Sequence, residues 1–233
     1  MNPFDVIQRA RELTDSVIVG FSCGKDSIVT LDLCRKHFKR VEAYFMYVVP
    51  GLEFQESYLR YAERRWDLKI HRLPHFGIAR LFRFSVFRQS TALSKSCPLM
   101  PISAIHTEAR RLTGIDWIAG GERKSDGPKR RRWLSFHKGI NVKPRLFYPI
   151  ADWNDRQAFA YLKLNKVPLP PDYRTMPQSF STALTPQALR PIRDLYPDDW
   201  RKILKVFPDA EVTLKREDYR QARASETVTV SEV

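Results

Sequence analysis

Cysteine is scarce in this chain and stops early: Cys23, Cys34 and Cys97 are the three, and none follows residue 97. An odd number at wide spacing argues against a disulfide framework and against a Cys-x-x-Cys zinc or iron–sulfur site. Long apolar runs are lacking too. Nothing approaches the ~20 residues needed to span a bilayer, and Met1-Asn2-Pro3-Phe4-Asp5 has neither the charged nor the apolar region of a signal peptide. A cytoplasmic chain without membrane contact is therefore expected. Internal repeats and low-complexity tracts are absent. The five histidines form no ligand set: His71 and His75 are four apart, but Pro74 between them opposes a metal-binding helix. No metal site is expected from protein ligands alone.

Acidic residues are in deficit. Forty Lys and Arg face 26 Asp and Glu, a net charge of +14, which attracts polyanions. Half of the excess lies between Glu122 and Arg145, where nine Lys or Arg face two acids. Lys129-Arg130-Arg131-Arg132 is the densest stretch. Such a run is either a solvated loop or a contact for phosphate or nucleic acid. Trp66, Phe82, Phe84, Phe87 and Trp133 lie near basic residues, as core or as stacking platforms for bases.

The 233 residues suffice for one α/β domain with a sizeable core and a small extension. Pro3 suits a first helical turn after Asn2 as cap, with the helix reaching about Leu13. Ser16 to Phe21 is a β-branched run, hence a strand. Ile28, Leu31, Cys34 and Phe38 then recur at helical spacing, with Cys34 on the apolar face. Val41 to Val49 is a second strand, broken by Pro50-Gly51. A helix runs from about Phe54 to Trp66, a third strand from Leu68 to Leu73. Phe76 to Lys95 reads as short helices and loop. Pro101 to Leu112 is helical and Ile115 to Gly120 is a fourth strand. A long basic loop leads to a fifth at Arg145 to Ile150, and a helix from Asn154 or Asp155 reaches about Leu164. The alternation implies an α/β, Rossmann-like fold: a mostly parallel five-stranded sheet with helices on both faces. Residues 1–167 form this domain. Residues 168–233, rich in proline, form a small helical C-terminal appendage whose last part, from Ser225, is a loose tail.

Ligands of such sheets bind beyond the carboxyl ends of the strands. Three loops start there: Ser22 to Ser27, Pro50 to Glu56 and Gly120 to Arg132. The first is rich in phosphate chemistry. Gly24 lets backbone approach a ligand, and the next helix aims free N–H groups at it. Lys25 adds a compact positive charge, and Ser22 and Ser27 can donate hydrogen bonds. Asp26 suits an anion site only if it holds Mg²⁺ or fixes the turn. The loop is neither a Walker A sequence nor Gly-x-Gly-x-x-Gly.

Phe21-Ser22-Cys23-Gly24-Lys25-Asp26-Ser27 resembles the PP-loop, Ser-Gly-Gly-Lys-Asp-Ser, of ATP pyrophosphatases and phosphoadenylyl-sulfate (PAPS) reductases, with Cys23 in place of the middle glycine. Three further blocks resemble the PAPS reductase branch. Gly51, Phe54 and Glu56 match the pattern after its second strand, although the expected Asp is absent. Gly121-Glu122-Arg123-Lys124-Ser125-Asp126 is similar to its Gly-x-Arg-x-x-Glu. Pro149, Trp153, Tyr161-Leu162, Pro168 and Tyr173 match its C-terminal block.

The resemblance implies an adenine nucleotide, ATP or one like PAPS, bound with Mg²⁺ by Ser22, Cys23, Gly24, Lys25, Asp26, Ser27, Gly51, Gly121 and Arg123. Lys25, Asp26 and Arg123 are the implied catalytic residues. Reductases of the family use a cysteine near the C-terminus, which this chain lacks. The expected chemistry is therefore cleavage of ATP at the α-phosphate, with pyrophosphate release and adenylyl transfer. Lys124, Lys129, Arg130, Arg131 and Arg132 are then contacts for phosphate or for an anionic second substrate, with DNA or RNA among the candidates. Sulfonucleotide reduction with an external thiol, and a non-catalytic nucleotide- or nucleic-acid-binding module, stay open as alternatives. Cys97, in Ser96-Cys97-Pro98 ahead of a helix, is either a sulfur-carrying thiol or an ordinary partly buried one. A homodimer is equally open.

Overall fold

A computed structural model describes residues 3–176, 180 and 184–230. Asn2, Pro177 and residues 231–233 lie outside the described residues. In chain order the helices are α1 (Pro3–Arg11), α2 (Lys25–His37), α3 (Glu53–Trp66), α4 (Ile78–Arg83), α5 (Ala92–Ser96), α6 (Ile102–Thr113), α7 (Pro128–Phe136), α8 (Asp155–Leu164), α9 (Pro186–Leu195), α10 (Pro197–Val206) and α11 (Ala210–Val230). The strands are β1 (Ser16–Gly20), β2 (Arg40–Tyr47), β3 (Ile70–Pro74), β4 (Ile118–Ala119), β5 (Ile140–Asn141) and β6 (Leu146–Phe147). They form one sheet in the order β3-β2-β1-β4-β6-β5. All pairs are parallel except β5–β6. The α/β class, the mostly parallel sheet and the helical C-terminal extension are as the sequence implies. A sixth, two-residue strand, β5, joins the five expected.

Two compact units divide the chain. The first takes residues 1–47, 55–75 and 101–170, and the second takes 48–54, 76–100 and 171–233.

In the first unit the central strand β1 sets the register, with Val19 opposite Ala43 on one side and Ala119 on the other. Val17, Val19 and Phe21 alternate with Ile18, so successive side chains enter opposite faces. The face of Val17 and Val19 packs with Ile28, Leu31 and Cys34 of α2 and Ala158 and Leu162 of α8 in one buried core. Burial pushes the Cys34 thiol far up, so it is an inert core residue. On the other face Tyr44 meets His106 of α6 edge to face, with ring centroids 6.2 Å apart.

α2 carries one acid into the first core. Asp32 is 5% exposed and accepts hydrogen bonds from Trp66 Nε1 at 2.9 Å and Tyr161 Oη at 2.7 Å, and Lys36 Nζ lies 2.7 Å away. These contacts tie α2 to α3 and α8.

The second unit has its own core, built from Val48, Leu52, Phe54, Leu189, Ile192, Trp200, Ile203, Phe207 and Leu214. Asp199, 1% exposed, accepts the backbone N–H groups of Glu53 at 2.8 Å and Phe54 at 3.0 Å. The carboxylate thereby satisfies orphan donors at the start of α3. Two of the prolines that mark this part of the sequence, Pro186 and Pro197, open α9 and α10, where a missing N–H costs nothing.

Two sequence expectations are corrected. The stretch read as a long basic loop contains α7, which begins with Pro128 after Gly127 and buries Leu134 completely. The tail read as loose from Ser225 continues α11 to Val230. The added residues, Ser-Glu-Thr-Val-Thr-Val, are mostly weak helix formers; they extend a helix whose earlier part, Ala210 to Ala224, is rich in Ala, Glu, Lys and Arg.

Burial raises the cost of ionising Asp32, but hydrogen bonds from Lys36, Trp66 and Tyr161 outweigh it and hold the carboxyl below its ordinary value of 3.8. The carboxylate therefore stabilises the fold fully above that value, and the contribution is lost as pH falls below it. Asp32→Ala is expected to lower the unfolding free energy by about 2–3 kcal/mol at pH 7. Urea unfolding of wild type and variant at pH 7 and pH 3 should show the gap narrowing in acid.

Candidate functional site

The sheet order reverses direction between β1 and β4, the switch point where open α/β sheets leave a crevice. Two loops leave the strands there. The first runs from Phe21 to the start of α2. Cys23 adopts φ +60°, left-handed backbone that favours glycine. The glycine of the family pattern thus has a conformational reason, and Cys23 holds the same turn at some strain. Ser27 Oγ accepts the Ser22 N–H at 3.1 Å, lies 3.2 Å from Ser22 Oγ and donates to the Gly24 carbonyl at 2.8 Å. The two serines therefore staple the loop to itself. Gly24 precedes α2 without any side-chain cap, which leaves the helix's first N–H groups without side-chain partners.

The second loop follows β4. Gly121 passes so close to the first that a Cβ there would lie 3.0 Å from Asp26 C and from Ser27 N. A side chain there would force that backbone to give way by a few tenths of an ångström. The chain then turns Arg123 inward, with its side chain 6% exposed. Arg123 Nη2 lies 3.1 Å from Asp126 Oδ1 and 2.9 Å from Asp155 Oδ1. Its Nε lies 3.2 Å from Asp26 Oδ1, an ion pair without hydrogen-bond geometry. Nη1 is buried and finds no hydrogen-bond partner among the described residues.

Lys25 converges on the same point. Its Nζ is 2.9 Å from Asp26 Oδ2 and 2.9 Å from Asp155 Oδ1. Burial works against its charge, but the hydrogen bonds to Asp155 and Asp26 outweigh it and hold the ammonium protonated. Burial pushes the Asp26 carboxyl up despite both cations. Asp155 is held below the ordinary carboxylate range by its bond to Lys25 and then by Arg123. Its side chain is 66% exposed. One carboxylate oxygen of an exposed side chain thus bridges the buried Arg123 and the half-buried Lys25. Arg130 Nη1 closes the set, 3.0 Å from Asp126 Oδ2. Lys25, Arg123 and Arg130 are balanced by Asp26, Asp126 and Asp155.

The other expected residues are placed differently. Lys124 Nζ pairs with Asp152 Oδ1 at 2.5 Å. Lys129, Arg131 and Arg132 are exposed on α7. Gly51, at φ +67°, belongs to the second unit, where Lys202 Nζ donates to its carbonyl. Cys97 also belongs to the second unit and follows the C-terminus of α5, five residues ahead of the start of α6. Trp66 is buried, whereas Phe84 is 59% exposed. Among the described residues no group of three or more His, Cys, Asp or Glu is arranged to hold a metal, and no helix is long and apolar enough to cross a membrane.

Sequence reasoning missed Asp155 and Glu122. Asp155 looks like an ordinary first-turn acid after the Asn154 cap. Glu122 Oε2 is buried without a partner among the described residues. Burial pushes this carboxyl up, and the nearby Tyr44 and Tyr148 hydroxyls are pushed up as well.

A parallel sheet that switches direction at a Ser-Cys-Gly-Lys-Asp-Ser loop, with an Arg loop packed against it, defines a PP-loop domain of the PAPS-reductase-like class. A family model for the phosphoadenosine phosphosulfate reductase domain matches residues 16–179, and the chain belongs to that family. Over 166 residues it is 30% identical to an uncharacterized protein of Methanocaldococcus jannaschii. That match covers 65% of this chain and 32% of the relative, so the chain spans about a third of the relative's length. Among solved structures, the PAPS reductase of Candida auris, in a phosphate complex, is similar with a TM-score of 0.50 and 17% identity. The overlap covers 75% of this chain and 84% of that one and speaks for the fold alone. The NH3-dependent NAD synthetase of Campylobacter jejuni overlaps at a TM-score of 0.45 and 12% identity over 95% and 97% of the two chains, too weakly to carry an argument.

With a raised folded value, Glu122 contributes stability that is complete below the ordinary carboxyl value of 4.5 and is lost as pH rises through the raised one. Glu122→Gln removes the cost of ionising a buried carboxyl. Its melting temperature should exceed that of the wild type at pH 8, with the difference closing toward pH 4; a scan of melting temperature against pH measures both.

Proposed function

We propose that this protein binds ATP, or a closely related adenine nucleotide, with its phosphates over residues 22–27, and that it cleaves ATP at the α-phosphorus to activate an anionic second substrate. The observation that carries this reading is Asp155 Oδ1, 2.9 Å from both Lys25 Nζ and Arg123 Nη2. A carboxylate oxygen there stands in for a phosphate oxygen. The partnerless Arg123 Nη1 is a donor that a second phosphate oxygen would satisfy. The uncapped start of α2 and the close passage of Gly121 suit the same ligand.

In this reading Lys25 and Arg123 are the catalytic cations. A nucleophile on the second substrate attacks the α-phosphorus, the bond from that phosphorus to the bridging oxygen breaks, and pyrophosphate leaves with the electron pair. Such a step requires neutralised charge on the phosphates rather than a protein nucleophile. Asp26 keeps its implied place beside both cations, positioned to orient Lys25 or to meet a metal-bound water. Mg²⁺ would arrive with the nucleotide and spread the triphosphate charge. Ser22, Cys23, Gly24, Ser27 and Gly121 supply the cradle. Lys124 lines the approach. The family match also supports sulfonucleotide reduction with an external thiol. Sulfite release from PAPS in the presence of a thiol distinguishes that reaction.

Titration calorimetry with ATP, AMP, PAPS and adenylyl sulfate, with and without Mg²⁺, tests the site. ATP is expected to bind most tightly. Lys25→Ala should weaken it at least ~30-fold, from the ~2 kcal/mol that loss of a buried charge partner costs. Asp155→Asn, which removes the competing charge, should tighten binding. Pyrophosphate release should vanish in Lys25→Ala. Equal ATP affinity in wild type and Lys25→Ala would reject the reading.

A further inference from the structure

α7 is a nine-residue helix, PKRRRWLSF, without an acidic side chain. Leu134 fixes its orientation: it is fully buried against Tyr148 and Ala151. With about 100° per residue, the face opposite Leu134 carries Lys129, Arg132 and Phe136. All three are exposed, and Phe136 is 81% exposed, an unusual position for so large an apolar ring. Arg131, on the flank nearer Leu134, is also exposed. Arg130 is engaged by Asp126. Lys129, Arg131 and Arg132 have no acidic partner among the described residues.

We infer that the outer face of α7 binds single-stranded nucleic acid, with Lys129 and Arg132 on successive phosphates and Phe136 stacked on a base. Lys129 and Arg132 are separated by about 5 Å along the helix axis and Phe136 lies about one turn further on. A single strand offers that alternation, because its bases present free π faces next to a charged backbone. Duplex DNA hides those faces. A membrane surface requires a broad apolar face on the helix. Here Leu134 points inward, Trp133 packs edge to face against Tyr148 with ring centroids 5.1 Å apart, and Phe136 is a single exposed ring beyond the two cations.

The helix that carries this surface is joined to the candidate site. Arg130 contacts Asp126, Asp126 contacts Arg123, and Arg123 contacts Asp26 and Asp155, which hold Lys25, every step at 3.2 Å or less. One chain of ion pairs thus ties α7 to the phosphate-binding loop. This names the class of the anionic second substrate and rests on the proposed function in that respect alone. Strand binding itself requires no nucleotide.

Fluorescence anisotropy with the full chain measures it directly. The probes are a labelled 20-nucleotide single-stranded RNA, the same sequence as single-stranded DNA, and the DNA duplex, each at 50 and 200 mM KCl. Tighter binding of single strands than of duplex is expected, and the preferred single strand identifies the sugar. Lys129→Glu with Arg132→Glu should weaken binding at least ~10-fold at 50 mM salt and flatten the log–log salt slope by about 1.4, two phosphate contacts at ~0.7 each. The neutral pair Lys129→Gln with Arg132→Gln should act in the same direction to a smaller extent. Phe136→Ala should weaken binding roughly 5-fold or more. Thermal unfolding checks that each variant is folded. Lys25→Ala should keep strand binding while losing ATP, so failure of the nucleotide reading and failure of this one are distinguishable. Unchanged strand binding in the charge-reversed variant, a preference for duplex, or binding to phosphatidylserine vesicles in place of strands would overturn the proposal.

Discussion

The buried guanidinium of Arg123 holds the switch point together. Three carboxylates from three places in the sequence, Asp26 on α2, Asp126 in the turn before α7 and Asp155 on α8, converge on one side chain that is 6% exposed. Removing such a cation would leave acids partly stripped of water and facing each other. The geometry is possible because Gly121 lets the loop carrying Arg123 lie against the backbone of Asp26 and Ser27. The close approach and the ion-pair set are thus one device: the missing side chain at Gly121 places the charged side chain two residues later.

That device also makes the site neutral as it stands. An anion brought to Lys25 and Arg123 has to displace a carboxylate, and the exposed one is Asp155. Asp26 is harder to displace, since its side chain is 23% exposed against 66% for Asp155. The same region contains Glu122, a carboxyl whose ionisation burial disfavours, facing the opposite side of the sheet among Tyr44 and Tyr148. Consecutive residues therefore serve opposite purposes. Arg123 is buried as an ion among ions, and Glu122 is buried where charge is unwelcome.

Much of this was legible in the sequence where a pattern repeats or a motif is contiguous. β1 and β2 are β-branched or apolar runs, and the loop after β1 carries its chemistry in six consecutive residues. β4 and β6 proved shorter than their apolar runs, because the parallel ladder closes only at Ile118–Ala119 and Leu146–Phe147. α7 escaped notice because one apolar residue, Leu134, anchors it; a helix with a single buried side chain has no period to read. Gly127-Pro128, inside the expected loop, is a helix start. Asp155 was illegible for another reason. Nothing local distinguishes it from a helix-opening acid, and its position between Lys25 and Arg123 follows from how α8 packs on α2, which a linear reading does not contain.

The sheet's outermost strands have a consequence for how the molecule meets copies of itself. An open sheet exposes unpaired backbone donors and acceptors at both margins, and long flat margins recruit further strands. Here one margin is β5, two residues long and antiparallel to its neighbour. The other is β3, five residues that include Arg72 and end at Pro74, which has no N–H to offer. One border is too short to serve as a template and the other is blunted by a charged side chain and a terminal proline, which works against edge-to-edge polymerisation in a chain of this fold.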